Sequence, residues 1–119
     1  MNRNSGAILV VEDDAILALD LADILQEAGY EVFNPVSTND LAHRAIEARR
    51  PSCALLDYNL GMETSVPTAV ALALRGIPFV YVTGRPDAVS TNPLAPTARI
   101  ISKPYRASDI LQAIADLAA

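Results

Sequence analysis

A chain of 119 residues is long enough for one compact domain and too short for two. Its net charge of −5 and its isoelectric point of about 4.6 leave no basic face for phosphate contacts, so we predict no nucleic-acid partner. No apolar run approaches the roughly 20 residues of a membrane span, and the single Cys53 cannot form an internal disulfide, so we expect a soluble cytoplasmic protein without a membrane partner.

The first elements alternate between a short apolar run and an amphipathic stretch. Residues 1–6 are polar and are expected to form a disordered tail, so the folded domain is expected to span 7–119. The run 7–11 is apolar throughout, which is typical of a strand covered on both faces. Residues 14–28 show a helical period and are followed by Gly29, where a helix C′ residue belongs. The apolar stripe of this helix is predicted to comprise Leu17, Leu21, Ile24 and Ala28.

The alternation continues to the end of the chain. Further strands are predicted at 31–36, 53–56, 79–82 and 99–101. Further helices are predicted at 38–49, with Leu41, Ala45 and Ala48 on its apolar stripe, and at 67–75 and 107–118. The segment 84–98 contains three prolines, and a proline inside a helix costs about 3 kcal/mol. A fourth helix is therefore expected to be short, from Asp87 to Thr91, and mobile.

This order of elements predicts a doubly wound α/β fold. Strands that alternate with helices, and that are apolar throughout, form a parallel sheet with helices on both of its faces. Right-handed crossovers then give an open sheet of five parallel strands. Ligands of such sheets bind beyond the carboxyl ends of the strands, so the residues that follow each strand are the candidate site residues.

Polar residues follow four of the five predicted strands. They are Glu12, Asp13 and Asp14 after the first strand, Asp57 after the third, Thr83 after the fourth, and Lys103 with Pro104 after the fifth. Each alone has an ordinary interpretation as a helix cap, a turn residue or a surface charge. At one edge, however, carboxylates repel each other by about 4 kcal/mol per pair at ~4 Å and an effective dielectric constant of ~20. Lys103, the only lysine, can offset one charge, and we expect a divalent cation to offset the rest.

The residue types at this edge predict the cation and the chemistry. Carboxylate and carbonyl oxygens, without a thiolate or an imidazole in these positions, favour Mg²⁺. A carboxylate nucleophile in such a site is typical of phosphoryl transfer, in which positive groups neutralise the transferred oxygens. We therefore predict that Asp57 accepts a phosphoryl group, and that Lys103 and the Thr83 hydroxyl bind phosphoryl oxygens.

Four strings of the sequence carry a resemblance to a known family. They are ILVVEDD (8–14), LLDYNLG (55–61), FVYVTG (79–84) and ISKPY (101–105), and over residues 6–118 they resemble the receiver domain of bacterial two-component response regulators. The resemblance implies a flavodoxin-like (βα)5 fold and a histidine kinase or a phosphotransfer protein as the phosphoryl donor. It implies that Mg²⁺ is held by Glu12, Asp13, Asp57 and the backbone carbonyl of Asn59. It also implies a cis bond before Pro104 and a change in binding to a downstream protein on phosphorylation. Such a domain catalyses only its own phosphorylation and dephosphorylation and is not an enzyme for other substrates.

The chain departs from the family pattern at three places. Ile100 stands where receivers usually carry an aromatic switch residue, Gly61 stands where a proline is frequent, and the fourth-helix region is rich in proline. Together with Gly84 directly after Thr83, these features resemble a subgroup of single-domain, chemotaxis-receiver-like proteins that signal through a mobile fourth helix. How the signal is read out with Ile100 at the switch position stays open.

Two other functions also stay open on the sequence. A Mg²⁺-dependent phosphatase with an aspartyl-phosphate intermediate usually carries a second acid two residues after the nucleophile, where this chain has Asn59. A receiver-like docking module that is never phosphorylated would have no need for Asp13, Asp57, Thr83 and Lys103. The sequence does not identify the kinase, the downstream protein, the phosphoryl lifetime or whether a homodimer forms. It also does not say whether the chain stands alone or comes from a longer protein.

Overall fold

The computed structural model describes residues 6–118, so the tail expected over 1–6 lies, except for Gly6, outside the described residues. The strands are β1 (Ala7–Val11), β2 (Glu31–Val32), β3 (Cys53–Asp57), β4 (Asn59–Leu60), β5 (Glu63–Thr64), β6 (Phe79–Thr83) and β7 (Ile100–Ser102). The helices are α1 (Ala15–Glu27), α2 (Asn39–Ala48), α3 (Val66–Leu74), α4 (Pro86–Ser90) and α5 (Ala107–Ala118).

Five of the strands form one parallel sheet in the order β2-β1-β3-β6-β7. Successive side chains of a strand point to opposite faces, so each apolar strand supplies two cores. Leu9, Leu56 and Tyr81 pack on the face that carries α2, α3 and α4. Val10, Leu55 and Val80 pack on the face that carries α1 and α5. The doubly wound α/β fold is confirmed.

The second strand is shorter than the sequence predicts. Regular pairing with β1 covers only Glu31 and Val32. Three more backbone bonds continue the contact, from Phe33 N to the Ile8 carbonyl (3.0 Å), from Val36 N to the Val10 carbonyl (3.0 Å) and from Glu12 N to the Val36 carbonyl (2.9 Å). Pro35 lies between Phe33 and Val36 and has no N–H to donate, which interrupts the ladder.

The first two helices begin at capping side chains. The Asp14 carboxylate accepts bonds from Ile16 N (2.9 Å) and Leu17 N (3.2 Å) at the start of α1. The Thr38 hydroxyl accepts a bond from Leu41 N (3.1 Å) at the start of α2. Beyond the end of α1, Gly29 has a φ of 95°, as expected for a glycine at C′.

The apolar stripes predicted for these two helices are wrong in part. The buried residues of α1 are Ala18, Leu21, Ala22 and Leu25. Those of α2 are Asn39, Ala42 and Ile46, whereas the Leu41 predicted for its stripe is 42% exposed. Alanine packs a helix closely onto a sheet but adds little to a hydrophobic pattern, and a buried asparagine opposes that pattern. The predicted stripes therefore lie beside the faces that the two helices bury.

A two-stranded hairpin between β3 and α3 was not predicted from the sequence. Its strands, β4 and β5, pair antiparallel, with Asn59 opposite Thr64 and Leu60 opposite Glu63. Gly61 in the turn has a φ of 74°, a conformation that glycine adopts without strain. Proline, which is frequent here in receivers, has its φ fixed near −65° and could not take this conformation.

The fourth helix has the shortness expected from its prolines. It contains five residues, Pro86–Ser90, and is followed by an irregular segment up to β7. The expectation that it is mobile stays a prediction. Within residues 6–118, none of the helices has the length and apolar character of a membrane span.

Cys53 is predicted to resist alkylation in the folded protein. It lies buried at the start of β3, and burial raises the pKa of its thiol to about 11. Since the thiolate is the nucleophile, reaction with iodoacetamide at pH 8 is expected to be at least ~100-fold slower than in the urea-unfolded chain. Mass spectrometry of both samples measures this ratio, and similar rates in the two would show that Cys53 is accessible.

Candidate functional site

Side chains from four strand ends meet at the carboxyl edge of the central sheet. Glu12 directly follows β1, Asp57 ends β3, Thr83 ends β6 and Lys103 directly follows β7. Glu12, Asp57 and Thr83 are buried, and Lys103 is half-buried. Parallel strands end at the same edge, which is why residues far apart in sequence converge there.

Lys103 connects the two buried carboxylates. Its Nζ lies 2.9 Å from Glu12 Oε1, to which it donates a hydrogen bond, and 3.3 Å from Asp57 Oδ2. The backbone holds it in place, because Lys103 N donates to the Thr83 carbonyl (2.8 Å). The peptide bond between Lys103 and Pro104 is cis, as the family resemblance implies.

The electrostatics of the site reflect a shortage of positive charge. Burial raises the pKa of the Glu12 carboxyl, and the neighbouring Asp57 raises it further, while the hydrogen bond from Lys103 opposes both effects. Partial burial lowers the pKa of Lys103, but the hydrogen bond to Glu12 and the charge of Asp57 outweigh it, so the net pKa is raised. Two carboxylates thus share one ammonium group, and further positive charge would be stabilised there.

A third carboxylate completes a cluster that could hold a metal ion. Oxygens of Glu12, Asp13 and Asp57 lie within 4.8 Å of one another, and Asp13 is exposed beside its two buried neighbours. It is the only such group within residues 6–118. Asp14, the extra acid of the triplet, instead caps α1, and its backbone N donates to Glu12 Oε2 (3.2 Å).

Thr83 presents a hydroxyl at the same edge. The residue is fully buried, and its Oγ1 accepts a hydrogen bond from Arg85 N (3.0 Å). Because the oxygen is the acceptor in this bond, the hydroxyl hydrogen can be donated to another group. Asn59 begins β4, two residues beyond Asp57, and its role as a carbonyl ligand stays a prediction.

Two tyrosines that the sequence did not single out as site residues connect this edge to the segment after α4. Tyr58, the residue after Asp57, accepts a hydrogen bond at its hydroxyl from Asn92 Nδ2 (2.7 Å). Tyr81 donates its hydroxyl to the Pro96 carbonyl (2.8 Å) and stacks edge-on against Tyr58, with ring centroids 6.3 Å apart. Tyr81 also lies opposite Ile100 in the β6–β7 pairing, so an aromatic ring occupies the strand beside the expected switch position.

Comparison with known proteins gives a consistent set of relatives. No family model matches the chain. The transcriptional regulatory protein PdtaR of Mycobacterium tuberculosis is 28% identical over 110 residues, which are 90% of this chain and 54% of PdtaR. The chain therefore spans about half the length of this curated relative.

Solved structures extend the likeness. SdrG from Sphingomonas melonis Fr1 is 34% identical with a TM-score of 0.82, and the match covers 100% of both chains. The receiver (REC) domain of the PhyR response regulator from Erythrobacter litoralis has a TM-score of 0.87 at 20% identity, over 97% of this chain and 91% of that domain.

A further structure contains a metal ion. The receiver domain of the sensor histidine kinase PA1611 from Pseudomonas aeruginosa PAO1, with magnesium coordinated in its active-site cleft, has a TM-score of 0.83 at 22% identity. The match covers 96% of this chain and 98% of that domain, and at this identity it shows the shared fold. The fold, the residues at the sheet edge and the 34% identity to SdrG over its whole length show that the chain belongs to the receiver-domain family of two-component response regulators.

Proposed function

We propose that this receiver accepts a phosphoryl group on Asp57 in the presence of Mg²⁺, and that the phosphorylated form binds a downstream protein differently. The observation that carries the proposal is the position of Lys103 Nζ, 2.9 Å from Glu12 and 3.3 Å from Asp57. A phosphoacceptor site needs a positive group that can bind the oxygens of the transferred phosphoryl group. Lys103 is the only lysine of the chain.

The donor set at the site fits Mg²⁺. Three carboxylates lie together, two of them beside the ammonium group of Lys103, and all of the predicted ligands, including the Asn59 carbonyl, are hard oxygen atoms. When bound, Mg²⁺ supplies positive charge that stabilises the negative oxygens of a phosphoryl group. The magnesium in the active-site cleft of PA1611, on the same fold, supports this assignment.

The proposed step conserves atoms and charge. A carboxylate oxygen of Asp57 attacks the phosphorus of a phosphohistidine, the new P–O bond forms and the P–N bond breaks. The histidine nitrogen keeps the electron pair and takes a proton from solvent. Lys103 and the Thr83 hydroxyl bind oxygens of the transferred group. Hydrolysis later breaks the P–O bond to Asp57, releases phosphate and restores the carboxylate.

The phosphoryl donor is proposed to be a histidine kinase or a phosphotransfer protein. We propose no catalysis on external substrates, because Asn59 occupies the position where an aspartyl-phosphate phosphatase carries its second acid. Hydrolysis of an external phosphoester over multiple turnovers would favour the phosphatase instead. A docking module would show neither reaction.

Removal of Mg²⁺ tests the proposal. With acetyl phosphate and Mg²⁺, the intact mass is expected to rise by one phosphoryl group, and with EDTA the rate is expected to fall at least ~100-fold. Excess Mg²⁺ added after EDTA should restore the rate, which controls for damage by the chelator. An equal rate in EDTA would contradict the proposed metal dependence, and no mass increase under any condition would contradict the acceptor function.

A further inference from the structure

The β4–β5 hairpin, residues 59–64, lies against the metal-binding carboxylates. It begins two residues after Asp57, and its first residue is Asn59, the proposed carbonyl ligand. A Cβ atom built on Gly61 in its turn would lie 3.7 Å from Asp13 Oδ2. The position of this hairpin therefore decides where a backbone ligand stands relative to Asp13 and Asp57.

The hairpin has little of its own to hold it. It is a separate two-stranded sheet with two residues in each strand, and an isolated hairpin is at best marginally stable in water. Met62 in its turn is fully exposed, while Leu60 is buried in the core under α2 and α3. Its placement must come largely from contacts outside the hairpin.

One buried side chain supplies those contacts. Asn39, the first residue of α2, donates from Nδ2 to Glu63 Oε1 (2.8 Å) and to the Thr64 carbonyl (2.8 Å). Its backbone N lies 3.3 Å from Glu63 Oε2, to which it also donates. Its own Oδ1 accepts a bond from the Thr68 hydroxyl of α3 (2.6 Å). Asn39 is 5% exposed and Thr68 is fully buried, so the bond between them is shielded from water, whereas the bonds to Glu63 and Thr64 are partly buried.

Asn39 is the polar member of the three residues that α2 buries. Its face of α2 is otherwise apolar, and burying an amide is favourable only when each polar atom finds a partner. Here every bond made by the amide goes to the hairpin or to the helix that follows it. The bonds fix β5 between α2 and α3, and pairing across the hairpin transmits that position to Asn59 opposite Thr64.

We propose that Asn39 is a positioning residue for the metal site, acting through Glu63 and Thr64 on the hairpin that carries Asn59. The inference rests on the proposed function for its metal, but not on phosphoryl transfer. Loss of the Asn39 bonds is expected to loosen the hairpin in the metal-free protein and to weaken Mg²⁺ binding. Removal of a partner that contacts a metal ligand directly typically changes metal affinity by ~10–100-fold, and since Asn39 acts through the hairpin we expect the lower end of this range.

The test compares Asn39→Ala with wild type in two measurements that need no phosphodonor. Hydrogen–deuterium exchange of the metal-free protein is expected to show faster exchange in residues 59–64. Isothermal titration with Mg²⁺ is expected to show a dissociation constant raised about 10-fold. Glu63→Ala, a change at an exposed side chain, is expected to act in the same direction and keeps the test valid if Asn39→Ala does not fold. Glu63→Gln retains an acceptor for Asn39 Nδ2 and is expected to stay close to wild type.

Two control variants separate positioning from general destabilisation. Ser65→Ala changes the residue after β5, whose buried hydroxyl has no hydrogen-bond partner in residues 6–118, and should leave Mg²⁺ affinity unchanged. Ile114 lies in the core on the opposite face of the sheet, so Ile114→Val is expected to lower the melting temperature and to leave Mg²⁺ affinity unchanged. Unchanged Mg²⁺ affinity in both Asn39→Ala and Glu63→Ala, with normal wild-type binding, would overturn this inference alone. Failure of the wild type to bind Mg²⁺ would overturn the proposed function as well.

Discussion

Asp57→Asn is expected to abolish phosphoryl acceptance. The amide removes the nucleophilic oxygen but keeps the size of the side chain, and Asp57 is the only carboxylate that ends a central strand at this edge within residues 6–118. After incubation with acetyl phosphate and Mg²⁺, the intact mass of the variant should show no added phosphoryl group at the time when wild type is fully converted.

The control for this variant is Asp23→Asn. Asp23 is exposed on α1, so the same chemical change is made away from the site and should leave phosphorylation at the wild-type rate. A phosphoryl group that still appears on Asp57→Asn would show that another side chain accepts it. Peptide mapping of wild type would then identify that residue.

Lys103→Met is expected to affect both the reaction and the stability of the metal-free protein. Removal of a positive group that binds transferred oxygens typically slows such a step by about 100-fold, and we expect a loss of this size with acetyl phosphate as donor. The substitution also leaves Glu12 and Asp57 buried without their shared cation. Removal of one partner of a buried ion pair costs ~3–5 kcal/mol. Because the lysine side chain is 21% exposed and solvent screens the remaining charges, we expect the unfolding free energy to fall by about 2 kcal/mol.

The two effects are measured separately. Intact-mass time courses give the phosphorylation rate, and urea titration in EDTA gives the unfolding free energy. The control is Arg106→Met, which removes an exposed cation three residues away. It should change the unfolding free energy by no more than ~0.5 kcal/mol and leave the phosphorylation rate close to that of wild type. Wild-type phosphorylation in Lys103→Met would show that the lysine is a structural partner of the carboxylates and takes no part in the transfer.

The central sheet and the residues at its edge were predictable because their signals are local. Each buried strand is a short run of apolar residues, and each site residue stands within two positions of the end of such a run, as Asp57 does after Leu56. Parallel pairing then brings all of these ends to one edge, whatever the details of the loops. Knowledge of the local pattern was therefore enough to place Glu12, Thr83 and Lys103 together.

The face that each helix turns to the sheet was only partly predictable. Ala18 and Ala22 lie buried on α1 because small side chains allow close packing, yet they add little to a hydrophobic pattern. On α2, the buried position of Asn39 runs against the pattern altogether. Its amide is satisfied by Glu63, Thr64 and Thr68, which are 24, 25 and 29 residues away.

By itself, the sequence determined the order along the chain of the five central strands and the helices, the shortness of α4 and the set of polar residues at the carboxyl edge. The tertiary structure alone decided the hairpin after Asp57, its bonds to Asn39 and the contacts of Tyr58 and Tyr81 with the segment after α4. The physical reason is the range of the interactions. Burial of apolar runs repeats along the chain and can be counted, whereas a side-chain hydrogen bond between distant residues has no periodic signature and exists only once the elements have packed.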